Sequence, residues 1–283
     1  MNFIVGCGYV GFQVAEQLLK QNQTIAALTH SEQNQNHLQT AQIQTYFADL
    51  DQADTLHTLP TEIDTLFYFA PPPATGIHDT RMTHFLNQFK AKPNKAILIS
   101  TTGVYGDCQG AWIDETQALN PQADRAKRRV DAEQKWQQWA TQQDIDWVIL
   151  RVAGIYGAQR LPIERLKKAL PVLDETISPY SNRVHVVDLV NVCMAASQRG
   201  QGIFNVTDGN PSTMTDYFNQ VALAVKLPLP PTLTKEQAAE QLSPEMNTYL
   251  AESKRINNKK MLQELQITLK YPTLQQGLAA IVS

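Results

Sequence analysis

Short apolar runs and amphipathic stretches alternate along this chain. Residues 2–5, 24–29, 43–47, 64–70 and 95–100 are compact runs rich in β-branched or aromatic side chains, and they predict five strands. Helical spacing lies between them: Val14, Ala15, Leu18 and Leu19 share one face, as do Met82, Phe85, Leu86 and Phe89 within residues 77–90. A long helix is predicted over residues 121–142, with Ala126, Val130, Ala132, Trp136, Trp139 and Ala140 on its apolar side and Pro121 in its first turn. Residues 147–151 read as a sixth strand and 202–207 as a seventh that returns to the same sheet. Strand and helix in regular succession predict an α/β fold, a doubly wound parallel sheet of about seven strands covered on both faces.

Beyond residue 157 the pattern loosens. Pro162, Pro171 and Pro179 punctuate short helical pieces such as 163–170, and residues 227–231 form a proline-rich connector. Further helices are expected at 213–225, 256–265 and 273–282. The expected organisation is a nucleotide-binding domain over 1–157, with a return segment at 185–210, and a smaller substrate-binding lobe over 158–283.

The chemistry starts at the first strand, which breaks into Gly6, Cys7, Gly8, Tyr9, Val10 and Gly11 before the first helix. In this G-x-G-x-x-G spacing the first glycine makes a tight turn, the second lets the backbone approach a pyrophosphate, and the third lets helix and strand pack closely. The helix N-terminus then presents unpaired N–H groups to the phosphates. A strand before the motif and another after one helix complete the βαβ context of a Rossmann dinucleotide site, so a nicotinamide dinucleotide is the expected cofactor. Its type is written at the end of strand two, where an acidic residue would favour NAD. Thr29, His30 and Ser31 stand there instead and point to NADP, against the alternative that they are only a polar loop.

At the carboxyl end of strand five, residues 99–106 read ISTTGVYG. Ligands of open α/β sheets bind at that edge, so Ser100, Thr101, Thr102 and Tyr105 are placed beside the nicotinamide, within reach of a substrate hydroxyl or carbonyl.

Composition narrows the partners. Twenty-four basic and 27 acidic residues give a formal charge of −3, which makes no electrostatic case for nucleic acid or an anionic membrane. No stretch reaches the roughly 18 apolar residues of a membrane span. The three cysteines show no ligand spacing and read as reduced thiols, and no pair of the six histidines has the spacing of a metal site. A cytoplasmic monomer or homodimer acting on a small molecule is expected.

Five stretches, GCGYVG at 6–11 with its preceding strand, STTGVYG at 100–106, RVAGIYG at 151–157, RVHVVDL at 183–189 and FNVTD at 204–208, follow in one order. Together they resemble the extended short-chain dehydrogenase/reductases, relatives of nucleotide-sugar epimerases and dehydratases, over nearly the whole chain. The resemblance implies that Gly6, Gly8 and Gly11 contact the pyrophosphate, Asp49 and Leu50 the adenine, and Ala70 and Pro71 the cofactor near strand four. It implies that Thr101 orients substrate, and that Arg183, His185 and Asp188 sit where two lobes meet.

One departure stands out. The family's acid/base is a tyrosine followed four residues later by a lysine, and a glutamate four residues after that. Counting back from Glu133 puts Arg129 at the lysine position, against the cofactor, and Arg125 at the tyrosine position. A guanidinium stabilises an oxyanion but does not shuttle a proton at neutral pH. Tyr105, Tyr156, Asp124 or water are the remaining proton carriers, with Thr102, Tyr156, Arg183 and His185 as substrate contacts. The run Arg125, Lys127, Arg128 and Arg129 reads either as a site for a phosphate or carboxylate or as a solvated helix face. For His185 a structural hydrogen bond competes with a catalytic role. Two functions follow: an NAD(P)-dependent oxidoreductase or epimerase/dehydratase-like enzyme, or a non-catalytic NAD(P)-binding sensor.

Overall fold

A computed structural model describes residues 1–241, 247 and 250–282. The chain divides into two compact units, the first made of Met1–Val104, Pro121–Arg151 and Val190–Phe204, the second of Tyr105–Asn120, Val152–Leu189 and Asn205–Ser283.

The strands begin with β1 (Asn2–Val5), β2 (Ile25–Thr29), β3 (Gln44–Phe47), β4 (Thr65–Tyr68) and β5 (Lys95–Thr101). After β6 (Trp112–Ile113) come β7 (Asp146–Val152), β8 (Gly154–Tyr156), β9 (Val172–Leu173), β10 (Tyr180–Ser181), β11 (Arg183–His185) and β12 (Gly202–Val206). Seven of them form one sheet in the order β12-β7-β5-β4-β1-β2-β3. The pairs β1/β2, β1/β4, β2/β3 and β4/β5 are all parallel. The order reverses between β1 and β4, the switch point at which ligands of such sheets bind. The expected sheet is therefore present.

Helices α1 (Tyr9–Lys20), α2 (Glu32–Thr40), α3 (Thr80–Gln88) and α4 (Asp124–Gln142) belong to the first unit. The core on one side of its sheet gathers Tyr68, Phe85, Phe89, Ala132 and Trp136, with Tyr68 and Trp136 ring centroids 5.8 Å apart. In the second unit, α5 (Ile163–Lys167), α7 (Met214–Ala224) and the helix Leu274–Val282 bury Leu166, Phe218, Val221 and Leu278 around Tyr156. Gly277 is required there, because a Cβ would lie 2.2 Å from the Tyr156 hydroxyl.

Several local expectations are corrected. Pro121 precedes α4, whose first residue is Asp124. The 163–170 helix is only Ile163–Lys167, and Ile256 lies in a strand, Arg255–Ile256, paired with β6, so the following helix starts at Lys259. Among the helices not expected from the periodicity, two differ in kind. In α2 only Leu38 is buried, so it has no apolar stripe to read. Val186–Gln198, α6, is apolar on nearly all sides, which erases the contrast on which periodicity depends.

Candidate functional site

Gly6 leaves β1 with φ +89°, a left-handed conformation that L side chains avoid. A Cβ there would meet the backbone N of Ala70 at 2.4 Å and Phe69 C at 2.7 Å, because the chain leaving β4 crosses directly against the turn. A Cβ on Gly11 would come within 2.7 Å of Gly6 O, so this glycine lets α1 pack on the turn. Gly8 differs: its missing side chain would meet nothing within 4 Å. It is exposed at the start of α1, where no side chain caps the helix and no acidic residue occupies the first turn. Orphan N–H groups at an uncapped, uncharged helix start beside an open glycine fit a pyrophosphate. Cys7, inside the turn, is buried, and that burial pushes its thiol up to about 12 and disfavours the thiolate.

At the end of β2, Thr29 is buried and its hydroxyl oxygen accepts from Asn34 Nδ2 at 3.1 Å and Ser31 N at 3.3 Å. Ser31 caps α2 by accepting from Asn34 N. Both hydroxyls are thus engaged in shaping the turn, and His30 is the exposed member of the three. Asp49 is folded onto its own loop, accepting from Asp51 N at 2.9 Å, while Leu50 is buried.

A group that sequence reasoning missed holds this loop. Arg81, on α3, grips Asp51 with two bonds of 2.7 and 2.6 Å and donates a third to Pro71 O at 3.2 Å. His84 Nδ1 lies 2.8 Å from Leu50 O. Arg81 therefore joins the loop after β3 to the loop after β4, and holds the Asp51 carboxyl below the usual carboxylate range. No fixed spacing links these residues, so no motif announced them.

At the end of β5, Ser100 is buried and donates to Glu133 Oε1 at 2.5 Å. Glu133 also receives Arg151, with Nη2 to Oε2 at 2.7 Å and Nε at 3.2 Å from both oxygens. Ser100 is thereby turned into the first unit's interior. Thr101 is half-buried, and its oxygen accepts from Gly103 N at 3.2 Å. Thr102 is buried.

The basic run does not form one patch, because successive helix residues point about 100° apart. Arg129 donates to Ile99 O at 3.1 Å, Arg128 is buried and donates to Gly76 O, and Lys127 pairs with Asp124 at 3.1 Å. Burial lowers the Arg129 pKa from its ordinary value, while Asp79, Tyr68 and Glu133 pull it back. Arg125 is half-buried.

The second unit places its candidates in the interior, the two tyrosines among them. Tyr105 is 0% exposed and donates to Asn205 Oδ1 at 2.7 Å. Tyr156 is buried with its hydroxyl toward Thr273 O, and burial raises its pKa. Arg183, also buried, donates to Ser181 Oγ, Ser212 Oγ and Thr213 O and lies 4.6 Å over the Tyr217 ring.

His185 Nδ1 accepts from Val187 N at 3.2 Å, so the imidazole caps the start of α6, and burial lowers its pKa. Asp188 accepts from the backbone N of Lys270 and Tyr271 at 2.6 and 2.9 Å. The RVHVVDL stretch is built into hydrogen bonds of the second unit. Among the described residues no group of three or more His, Cys, Asp or Glu side chains is arranged to hold a metal.

Residues 3–207 match the family model described as the NAD dependent epimerase/dehydratase family. The chain belongs to that family. Its fold is similar to a functionally unknown conserved protein from Silicibacter pomeroyi, with 27% identity, 99% of this chain and 97% of the other covered, and a TM-score of 0.81. It is also similar to the UDP-glucose 4-epimerase of Thermotoga maritima, solved with UDP-glucose, at 18% identity, 100% and 97% coverage and a TM-score of 0.80. The UDP-glucose 4-epimerase of Thermus thermophilus, solved with NAD, gives 20% identity, 100% and 98% coverage and a TM-score of 0.78. Below 25% identity the likeness is one of fold. No curated protein matches the sequence.

The epimerase/dehydratase match runs from β1 through the first residue after β12, so the glycine turn, the β5 edge and the RVHVVDL stretch all lie inside it. The segment from Asp208 onward lies outside it. Among the described residues no helix is long and apolar enough to cross a membrane.

Proposed function

We propose that this chain binds NADP(H) and transfers hydride to or from a sugar-nucleotide-like or other polar hydroxyl or carbonyl substrate. The observation that carries the cofactor half is the glycine turn: a strained Gly6 locked against Ala70, and an open Gly8 at an uncapped helix start. When bound, the nicotinamide supplies or accepts the hydride. Gly8 with the first turn of α1 would hold the pyrophosphate, Asp49 and Leu50 the adenine, and Ala70 and Pro71 the cofactor near β4. The preference for NADP rests on exposed His30 beside the start of α2, opposed by Glu32 in that helix's first turn.

Thr101 orients the reacting oxygen. Its own oxygen already accepts from Gly103 N, which leaves its proton to donate. Arg125 stabilises negative charge on that oxygen without exchanging a proton at neutral pH, so proton transfer passes through water or Asp124. A missing acid/base lowers the rate by roughly 10²- to 10⁴-fold, and slow turnover is expected.

A second reading, a cofactor-binding sensor without turnover, is favoured by Arg128 and Arg129, which are committed to main-chain carbonyls. Calorimetric titration of cofactor-stripped protein with NADPH and NADH tests the first claim. At least about a tenfold preference for NADPH is expected from one charge-assisted contact of about 1.5–3 kcal/mol. Transfer of deuterium from labelled NADPH to a panel of carbonyl compounds separates enzyme from sensor: cofactor binding with no transfer across the panel rejects the enzyme. If neither nucleotide binds, both readings fall.

A further inference from the structure

On the second unit, the ribbon formed by β6 and Arg255–Ile256 buries Ile113 and Ile256 and turns Trp112 outward, 54% exposed. One exposed indole needs no explanation by itself. This one is held in unusual company. The Arg255 guanidinium lies 5.6 Å over the Trp112 ring and 4.8 Å over the Tyr180 ring, and its Nε is fixed to Gly110 O at 2.7 Å. Trp112 also lines a cavity of about 380 Å³ with Gly209, Ile256, Asn257, Asn258 and Lys259.

The polar groups of this cavity are sorted by their own bonds. Asn258 is buried and donates Nδ2 to Thr207 O at 2.8 Å, which leaves its Oδ1 as an acceptor. Asn257 uses Oδ1 to accept from Lys259 N at 2.9 Å, which leaves its amide N–H groups as donors. Gly209, with φ +78°, is the wall against Asn258: a Cβ would lie 2.9 Å from that amide. Neither Arg255 nor Lys259 has a carboxylate within ion-pair distance among the described residues. The cavity thus combines a flat ring, one oriented acceptor, one oriented donor and a cation, Lys259, that has no carboxylate partner among the described residues.

We infer that this cavity is a ligand site for an anionic monosaccharide, a sugar bearing a carboxylate or a phosphate. The C–H face of the pyranose lies on Trp112, Asn257 and Asn258 take hydroxyls, and Lys259 takes the anion. Arg255 holds the indole from its own side and adds positive potential. Size agrees, since the volume accommodates one sugar ring with its acidic group and not a dinucleotide. The assignment uses residues of the second unit alone and does not depend on the function proposed above.

The test uses the full chain labelled with ¹⁵N. Its four tryptophans give four indole N–H resonances, and Trp112→Phe identifies that of Trp112. Four probes are titrated: glucuronate, glucose 1-phosphate, glucose and inorganic phosphate. Glucuronate and glucose 1-phosphate are expected to shift the Trp112 resonance saturably, each with a Kd about tenfold below that of glucose. Inorganic phosphate alone is expected to leave it in place. Lys259→Ala is expected to abolish the tenfold difference without changing the glucose titration, and Asn257→Ala to weaken all three sugars. Saturating NADH is expected to change none of this. A resonance unmoved by both acidic sugars, equal affinity for glucose and glucuronate, or an unchanged preference in Lys259→Ala would overturn the assignment.

Discussion

Arg151 lays its guanidinium along Glu133, with Nη2 2.7 Å from Oε2 and both residues almost wholly buried, at 3% and 1% exposure. Ser100, from the end of β5, donates to the other carboxylate oxygen. The triad ties β5, α4 and β7 together beneath the edge on which Thr101 stands. Removing one member of a buried pair leaves an uncompensated charge, at a cost of about 3–5 kcal/mol, whereas replacing both with apolar side chains is often near neutral. Glu133→Ala and Arg151→Ala are each expected to lower the Tm by several degrees, and Glu133→Leu with Arg151→Met to recover most of the loss. Thermal unfolding followed by circular dichroism checks this. A double variant no more stable than the singles would show that the pair is not the source of the cost.

The three glycines of the turn separate folding from binding. Gly6→Ala forces a Cβ into the Ala70 backbone at a positive φ, and Gly11→Ala forces one against Gly6 O. Both are expected to lower the Tm and, with the turn displaced, cofactor affinity. Gly8→Ala meets no protein atom, so its Tm is expected to stay within about a degree of the parent, because surface substitutions of this kind change stability by less than about 0.5 kcal/mol. Its affinity for NADPH should nevertheless fall at least about tenfold, since the methyl occupies the space proposed for the pyrophosphate. Calorimetry and a melting curve on the same preparation decide it. Undiminished affinity in Gly8→Ala would place the cofactor elsewhere.

How far the sequence discloses this protein depends on distance along the chain. The Gly6 turn, β1 and α1 are contiguous, and a positive φ beside a helix start demands glycine wherever it occurs, so they are legible. The inner sheet is legible because β1, β2, β4 and β5 are largely apolar, buried runs, whereas the edge strand β3 reads QTYF. Glu133, Arg151 and Ser100 lie 18 and 33 residues apart, and Arg81 lies 30 from Asp51, so their pairing exists only once the sheet order is set. Adjacency also misleads: Lys127, Arg128 and Arg129 are neighbours in sequence but go to Asp124, Gly76 O and Ile99 O. The tyrosines of VYG and IYG look like reactive phenols in a polar stretch, yet the second unit consumes both in its interior.

That last point is open to measurement at Tyr105. Its hydroxyl donates to Asn205 Oδ1, and the Asn205 side-chain nitrogen has no partner of its own. Tyr105→Phe removes the remaining bond and leaves a buried carbonyl oxygen unsatisfied, at a cost of about 1–3 kcal/mol. Lower stability in chemical denaturation, with NADPH affinity unchanged, is the expected pair of results. Unchanged stability with a large loss of affinity would return Tyr105 to the cofactor's surroundings.

Asp208 gives the second unit a pH dependence whose direction follows from its burial. The carboxyl is 4% exposed and Oδ2 has no partner. Burial raises its pKa from 3.8 to about 6, against the opposing effects of the Asn210 N–H and of Arg183. Between those two values the unfolded chain has already released the proton while the folded protein keeps it. The folded state therefore binds more protons, and stability falls as pH rises from about 4 to 6. A shift of this size corresponds to roughly 2–3 kcal/mol. Asp208→Asn retains the acceptor for Asn210 N, 2.9 Å away, and removes the titration. Denaturant unfolding at intervals from pH 4 to 7 should show the variant gaining on the parent as pH rises, with the gain levelling off above about pH 6. Parallel curves for the two proteins would mean that Asp208 stays ionised in the fold, held so by Arg183.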